Sequence, residues 1–192
     1  MSSFFHYRWQ KNGVSNALVL VTTLPSFRIQ DLIRIVDDDR LGGRPYPDSL
    51  IIVVPSDAAA AARASVKKSI EAGTALRLAK ALVPVIIVSF DAHGRMKMGA
   101  NSTLQGLMTL AKEDFRSLRA AGIAHLAATR EAVLVAPSGH HFVHPRRRHS
   151  AAFFRAANML IQGEEIGFLS LVFLPHLHDS IKKIWVDSSS IS

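Results

Sequence analysis

Three short runs of apolar, mostly β-branched residues set the tightest limit on how this chain folds. They are Ala17–Thr22 (ALVLVT), Leu50–Val54 (LIIVV) and Val85–Phe90 (VIIVSF). A run without polar alternation suits a strand covered on both faces, as parallel strands are in α/β proteins. Helical spacing follows the first run, at Ile29, Leu32, Ile33 and Val36. An alanine-rich stretch from about Ala58 to Leu82 follows the second. Parallel neighbours need crossovers, and these stretches supply them. The expected fold is therefore α/β, a mainly parallel sheet with flanking helices.

Local signals place the boundaries. Ser26 is the expected N-cap of a first helix ending near Val36. Asp37, Asp38 and Asp39 then lead into a Gly42-Gly43 loop rich in proline, the acidic run reading as a solvated helix end. Ser102 or Thr103 is expected to cap a helix reaching about Arg119, which Ala120-Ala121-Gly122 then breaks. Val133–Ala136 reads as a strand, and Ala151–Ile161 fits strand or helix equally. Glu164–His176 reads as an apolar helix with Glu164 and Glu165 in its favourable first turn. Ile184–Val186 is the expected last strand. A change of charge near Gly122–Glu131 suggests two parts, an α/β domain or half over 1–130 and a segment over 131–192.

Charge is the second constraint. The chain has 192 residues and a formal net charge of +8. Between Ala132 and Gly163 there is no Asp or Glu, while Arg146, Arg147, Arg148 and Arg155 supply four positive charges, half the net value. His140, His141, His144 and His149 lie in the same segment. Clustered guanidinium groups suit phosphate, because each planar fork meets two oxygens. Phe153 and Phe154 could stack on a base or pack in the core.

Other chemistries are poorly served. No window holds the ~18 uncharged apolar residues of a membrane span, and Met1–Gln10 has no signal-peptide pattern. The chain has no cysteine, which removes thiolate ligands and nucleophiles and fits a cytoplasmic setting. The His140/His141/His144 group and the His176/His178/Asp179 group lack the spacing of a zinc site. Ser138 lacks the glycines of a nucleophile elbow, and there is no dinucleotide fingerprint or phosphate-binding P-loop.

The basic segment resembles the N-terminal part of orotate phosphoribosyltransferase-like proteins. Their run, Phe-Thr-Leu-Lys-Ser-Gly-Arg-x-Ser-x-x-Phe-Phe, aligns without gaps. Phe142 falls on the first Phe, Arg148 on the Arg, Ser150 on the Ser, and Phe153-Phe154 on the aromatic pair. The family's Lys falls on Pro145 and its Ser-Gly on Arg146-Arg147. The following helix and strand of the family fall on Glu164–His176 and Ile184–Val186, and its pyrophosphate-facing loop on Asp187, Ser188, Ser189 and Ser190, without the family's Gly-Pro and Lys.

The resemblance covers roughly the last 60 residues. It implies a phosphoribosyltransferase-like element, glycosyl transfer with Mg²⁺ if completed, and binding of a phosphorylated nucleotide or sugar. The residues implied are Arg146, Arg147, Arg148, His149, Ser150, Phe153, Phe154, Arg155 and Asp187–Ser190. The family's acidic ribose-binding motif would fall beyond Ser192. The expectation is a chain catalytically incomplete alone, to be completed by a partner or a downstream segment. The alternative expectation is a non-enzymatic module that uses the basic patch on nucleic acid or in assembly, including homo-oligomers.

Overall fold

A computed structural model describes residues 3–11, 15–72, 83–104, 109–143 and 147–177. At its centre is a five-stranded sheet in the order β1-β2-β3-β4-β5. The strands are β1 (Phe5–Lys11), β2 (Ser15–Val21), β3 (Ser49–Pro55), β4 (Val85–Phe90) and β5 (Met96–Leu104). β2, β3 and β4 are parallel, with Ala17 opposite Ser49 and Leu50 opposite Val85. Both edge strands are antiparallel to their neighbours. The mainly parallel sheet that was expected has its parallel pairing in the three central strands, with an antiparallel strand at each edge, so the sheet is mixed.

Those central strands are the three apolar runs, and their lack of alternation has a simple cause. Val19, Val21, Ile51, Val53, Ile86 and Val88 enter one buried cluster, and Leu18, Leu20, Leu50, Ile52, Val54 and Ile87 enter the other. Helices α1 (Ile29–Leu41) and α2 (Ala59–Glu71) contribute Leu32, Ile35, Val36, Ala62 and Val66 to the second cluster. Helices α3 (Lys112–Thr129) and α4 (Gly163–Phe173) contribute Leu118, Leu126, Phe168 and Leu171 to the first. The result is three layers with the sheet in the middle, and both faces of each central strand leave water.

β1 was not among the expected elements, yet its pattern is a plain two-residue alternation. Phe5, Tyr7 and Trp9 are buried while His6 and Gln10 are exposed. The buried polar tips are satisfied by α3: the Tyr7 hydroxyl donates to the Leu118 carbonyl at 2.9 Å, and Trp9 Nε1 donates to Ser117 Oγ at 3.1 Å.

Other boundaries move for identifiable reasons. α1 starts at Ile29 rather than after Ser26, and runs to Leu41 through the acidic triplet. Asp39 is not solvated. Its side chain is 3% exposed and is held by Arg8 of β1 and by Arg44 at 3.2 Å. Ser102 and Thr103 belong to β5, where pairing with β4 overrides their capping tendency. Of the expected helix 58–82, residues 73–82 lie outside the described residues. The segment left open at Ala151–Ile161 resolves into β9 (Ala152–Phe154) and a short 3₁₀ turn over Ala156–Met159.

Gly122 does not break a helix. α3 continues through it to Thr129, because the missing side chain admits neighbours rather than a turn. A Cβ on Gly122 would lie 2.4 Å from Phe168 Cζ and 3.0 Å from Tyr7 Cε1. Gly122→Ala is therefore expected to overpack the junction of β1, α3 and α4. The expected loss is about 1–3 kcal/mol, despite alanine's better helix propensity. Urea denaturation checks it, and a midpoint equal to or above the parent's would show that the junction yields.

Candidate functional site

In open α/β sheets, ligands usually sit outside the carboxyl ends of the parallel strands. Here α4 comes close to that end. A Cβ on Gly167 would lie 2.7 Å from Thr23 Oγ1, just after β2. One on Gly94, in the turn after β4, would lie 2.8 Å from Leu174 Cβ and Pro175 Cδ and 2.9 Å from the Leu171 carbonyl. The turn itself is closed by Asp91, which accepts hydrogen bonds from the backbone N–H groups of His93 and Arg95 and from Arg95 Nε. Burial raises the Asp91 pKa, but the Arg95 and His93 hydrogen bonds outweigh it and leave it below the ordinary carboxylate value.

The basic segment lies after α3, on two small ladders. β6 (Val133–Val135) pairs with β9 (Ala152–Phe154), and β7 (Phe142–Val143) pairs with β8 (His149–Ser150). The β7–β8 hairpin carries Arg147, Arg148 and His149, all exposed. Its ladder sets Val143 against His149, and the His141 and His149 rings lie 4.4 Å apart. Phe142 meets Phe153 of β9 at 5.8 Å, which joins the hairpin to the second ladder.

Phe153 and Phe154 are 38% and 54% exposed, so the aromatic pair is presented at the surface rather than taken into the core. Arg155 is also exposed, and its backbone N–H donates to the Ala132 carbonyl at 2.7 Å. Among the described residues, no carboxylate pairs with Arg147, Arg148 or Arg155. Arg147 adopts φ +57, the left-handed region that favours glycine. The structure thus gathers His149, Ser150, Phe153 and Phe154 on two strands close in sequence, with Arg147 and Arg148 immediately before β8 and Arg155 immediately after β9. Arg146, His144, Ile184–Val186 and Asp187, Ser188, Ser189 and Ser190 lie outside the described residues.

A second site went unread in the sequence. A cavity of about 230 Å³ opens between β1, the C-terminal end of α3 and the N-terminal end of α4. Phe4 and Phe5 form apolar wall, and His6, His125, Thr129, Arg130, Glu164 and Glu165 bring polar groups to it. Arg130 and Glu165 meet at 2.6 Å, with the Glu165 side chain only 6% exposed. The other Glu165 oxygen accepts from the Gln162 backbone N–H at 3.2 Å, capping α4. The His125 ring lies 6.1 Å from Phe5 and 6.2 Å from Tyr7.

Both cavity histidines have pKa values below the ordinary 6.5. For His125 burial is the main cause, and the positive potential of His6 and Arg44 adds to it. For His6 burial again leads, opposed by Asp39, even though the ring reaches the surface at the cavity mouth. The only sequence signal was the position of His6 within an alternating strand, since His125 sits 119 residues away.

Among the described residues, no group of three or more histidine or carboxylate side chains is placed to hold a metal ion, and no helix is long and apolar enough to cross a membrane.

The depressed histidines predict a pH dependence. The unfolded chain binds protons near pH 6.5 while the folded chain resists them, so folding stability is lost as pH falls below that value. The stability difference between pH 7.5 and 5.5 should shrink in a His6→Gln/His125→Gln variant. Parallel denaturation curves at the two pH values check this, and an unchanged difference would assign the dependence to other groups. In comparisons with known proteins, no family model, no curated protein and no solved structure matches this chain.

Proposed function

We propose that the protein binds a phosphorylated nucleotide or sugar on the β7–β8 hairpin, as a phosphoribosyltransferase-like binding element that is catalytically incomplete alone. One observation carries the reading. In the aligned family run, Gly falls on Arg147, and Arg147 has the positive φ of +57 that a glycine position predicts. The backbone thus takes the glycine-type turn although the residue is not glycine. The turn sets Arg147 beside Arg148 and His149 at the surface. An L-residue in that conformation costs about 1–2 kcal/mol, and here the unfavourable turn carries a guanidinium.

Mechanistically, the exposed guanidinium groups of Arg147 and Arg148 meet phosphate oxygens, Arg148 at the family's arginine position. His149 adds a donor and, when protonated, a charge. Ser150 lies one residue further on, with its hydroxyl donating to the Ala152 carbonyl at 2.5 Å. Phe153, joined to the hairpin through Phe142, offers a flat apolar surface for a base or sugar.

The test is ligand-induced stabilisation at fixed ionic strength, with phosphoribosyl pyrophosphate and a nucleoside monophosphate as probes. A ligand at 100 times its Kd adds about 2.7 kcal/mol of stability. A saturable rise in Tm that Arg148→Ala removes is the expected result, with the unliganded Tm of that variant unchanged. Arg147→Gly should raise the unliganded Tm, by relief of up to about 1–2 kcal/mol, while weakening ligand stabilisation. If neither probe raises Tm at about 10 mM, the reading fails.

The exposure of both Phe153 and Phe154 favours nucleic acid as the second reading. Binding of a single-stranded or duplex polynucleotide should then fall with salt, with a log–log slope of about −0.7 to −0.9 per neutralised phosphate.

A further inference from the structure

β6 has a free side. In an antiparallel ladder, hydrogen-bonded pairs alternate with pairs that turn their backbone groups outward. The phase is fixed here by the bonds from the Arg155 N–H to the Ala132 carbonyl and from the Ala136 N–H to the Ala151 carbonyl, at 2.7 and 2.8 Å. Val133 and Val135 stand one residue inside these pairs, opposite Phe154 and Ala152. Their N–H and C=O groups therefore face away from β9. No other strand among the described residues pairs with β6.

A groove of about 540 Å³ is lined by β6 together with Ala124, Ala127 and Ala128 of α3 and Glu131. No β9 residue lines it, so it lies on the unpaired side. Residues 124, 127 and 128 share one helix face, and alanine there leaves room for an incoming backbone. The side chains of Val133 and Val135 are 50% and 72% exposed. This concentration is general. Of the twelve exposed large apolar residues among those described, ten lie between Val133 and Leu177, and the other two are Leu24 and Leu41. An apolar surface of this kind beside an open strand edge marks an interaction site.

We infer that this edge takes an extended segment of a partner protein by strand addition, one with apolar residues at alternate positions and acidic residues on either side. Outward backbone groups at Val133 and Val135 supply the hydrogen bonds, and the groove takes the alternate side chains. Charge decides between occupants. The 32 residues from Ala132 to Gly163 carry four arginines and no carboxylate, within a chain of net charge +8. Two copies docked here would bring together two chains that each carry a net charge of +8, whereas acidic flanks are attracted to that charge. The exposed Glu131 is the ionisable side chain among the groove-lining residues, so the acidic residues of the partner belong at its ends rather than its centre.

The experiment uses the full chain and a fluorescein-labelled peptide, Glu-Glu-Val-Thr-Val-Thr-Val-Glu-Glu, followed by anisotropy. Binding is expected at micromolar to about 1 mM peptide, and at least about 10-fold weaker for the same peptide with lysine in place of glutamate. Val135→Pro removes one outward N–H without touching the ladder to β9, a substitution edge strands tolerate. Ala128→Leu fills the groove from an exposed helix position. Each should weaken binding at least about 10-fold with Tm preserved.

Absence of binding at millimolar peptide overturns the inference. So does binding that Val135→Pro and Ala128→Leu both leave unchanged. A free chain that sediments as a dimer and becomes a monomer on Val135→Pro makes a second copy the occupant and overturns the partner assignment. A polynucleotide that displaces the peptide and whose own binding Ala128→Leu weakens assigns the face to nucleic acid and overturns it too. Arg148→Ala, which abolishes phosphate-ligand stabilisation under the proposed function, should leave the Val135→Pro effect in place, so the two readings fail separately.

Discussion

Phe168 is the contact on which the remaining arrangement depends. Its ring stacks on Phe5 at a centroid distance of 4.4 Å and lies 5.8 Å from Tyr7. Its rim lies against Gly122, where a Cβ would intrude to 2.4 Å. One side chain therefore fixes the separation of β1, α3 and α4 together. Aromatic pairs of this kind contribute about 0.5–1.5 kcal/mol beyond burial. Their geometric effect is larger here, because the seating of α4 determines what covers the carboxyl ends of β2 and β4. The proposed ligand contacts lie away from that end, on the ladders after α3.

The central strands were legible because double burial writes itself into composition. Val19 and Leu20, adjacent in sequence, serve opposite clusters, and neither position tolerates a polar group. β1 was as legible in principle, with Phe5, Tyr7 and Trp9 alternating with polar residues, but aromatic residues also occur in helices and the run is short. Gly122 shows a different limit. A glycine that ends a helix and one that permits a close crossing look alike until Phe168, 46 residues later, is known to pack on it. Asp39 is a third kind. Its acidic neighbours suggest solvent, and Arg8 on the edge strand together with Arg44 offsets the burial of its carboxylate.

The candidate sites divide along the same line. The basic hairpin could be found because its arginines are consecutive and free of acidic neighbours. The His6–His125 cavity could not, because its parts come from β1, α3 and α4, and the folding of all three assembles it. Its electrostatics also differ in kind. Arg130 is already matched by Glu165, burial lowers the pKa of both histidines, and Glu164 adds a carboxylate to the lining. Arg147 and Arg148 of the hairpin are exposed, with no carboxylate partner among the described residues.

That contrast bears on how the charge is used. The half-buried Arg8 and Arg130 are each answered by a carboxylate within the fold, since removing one partner of such a pair leaves an uncompensated charge. Arg147 and Arg148 are exposed, so nothing in folding requires a partner, and the ladders that hold them contribute little buried area of their own. Among the described residues β6 and β7 each pair with one strand, and isolated two-stranded ribbons are marginal in water. β6 gains support from α3, where the Ala132 N–H donates to the Ala127 carbonyl at 2.8 Å. Phe142 against Phe153 passes some of that support to the hairpin. A ligand on the hairpin and a strand on the free side of β6 would each supply contacts that this part of the chain does not make for itself. Because both ladders are joined through Phe153 and Leu134, which pair across β9 and β6, order gained at one is expected to reach the other through that cross-strand pair.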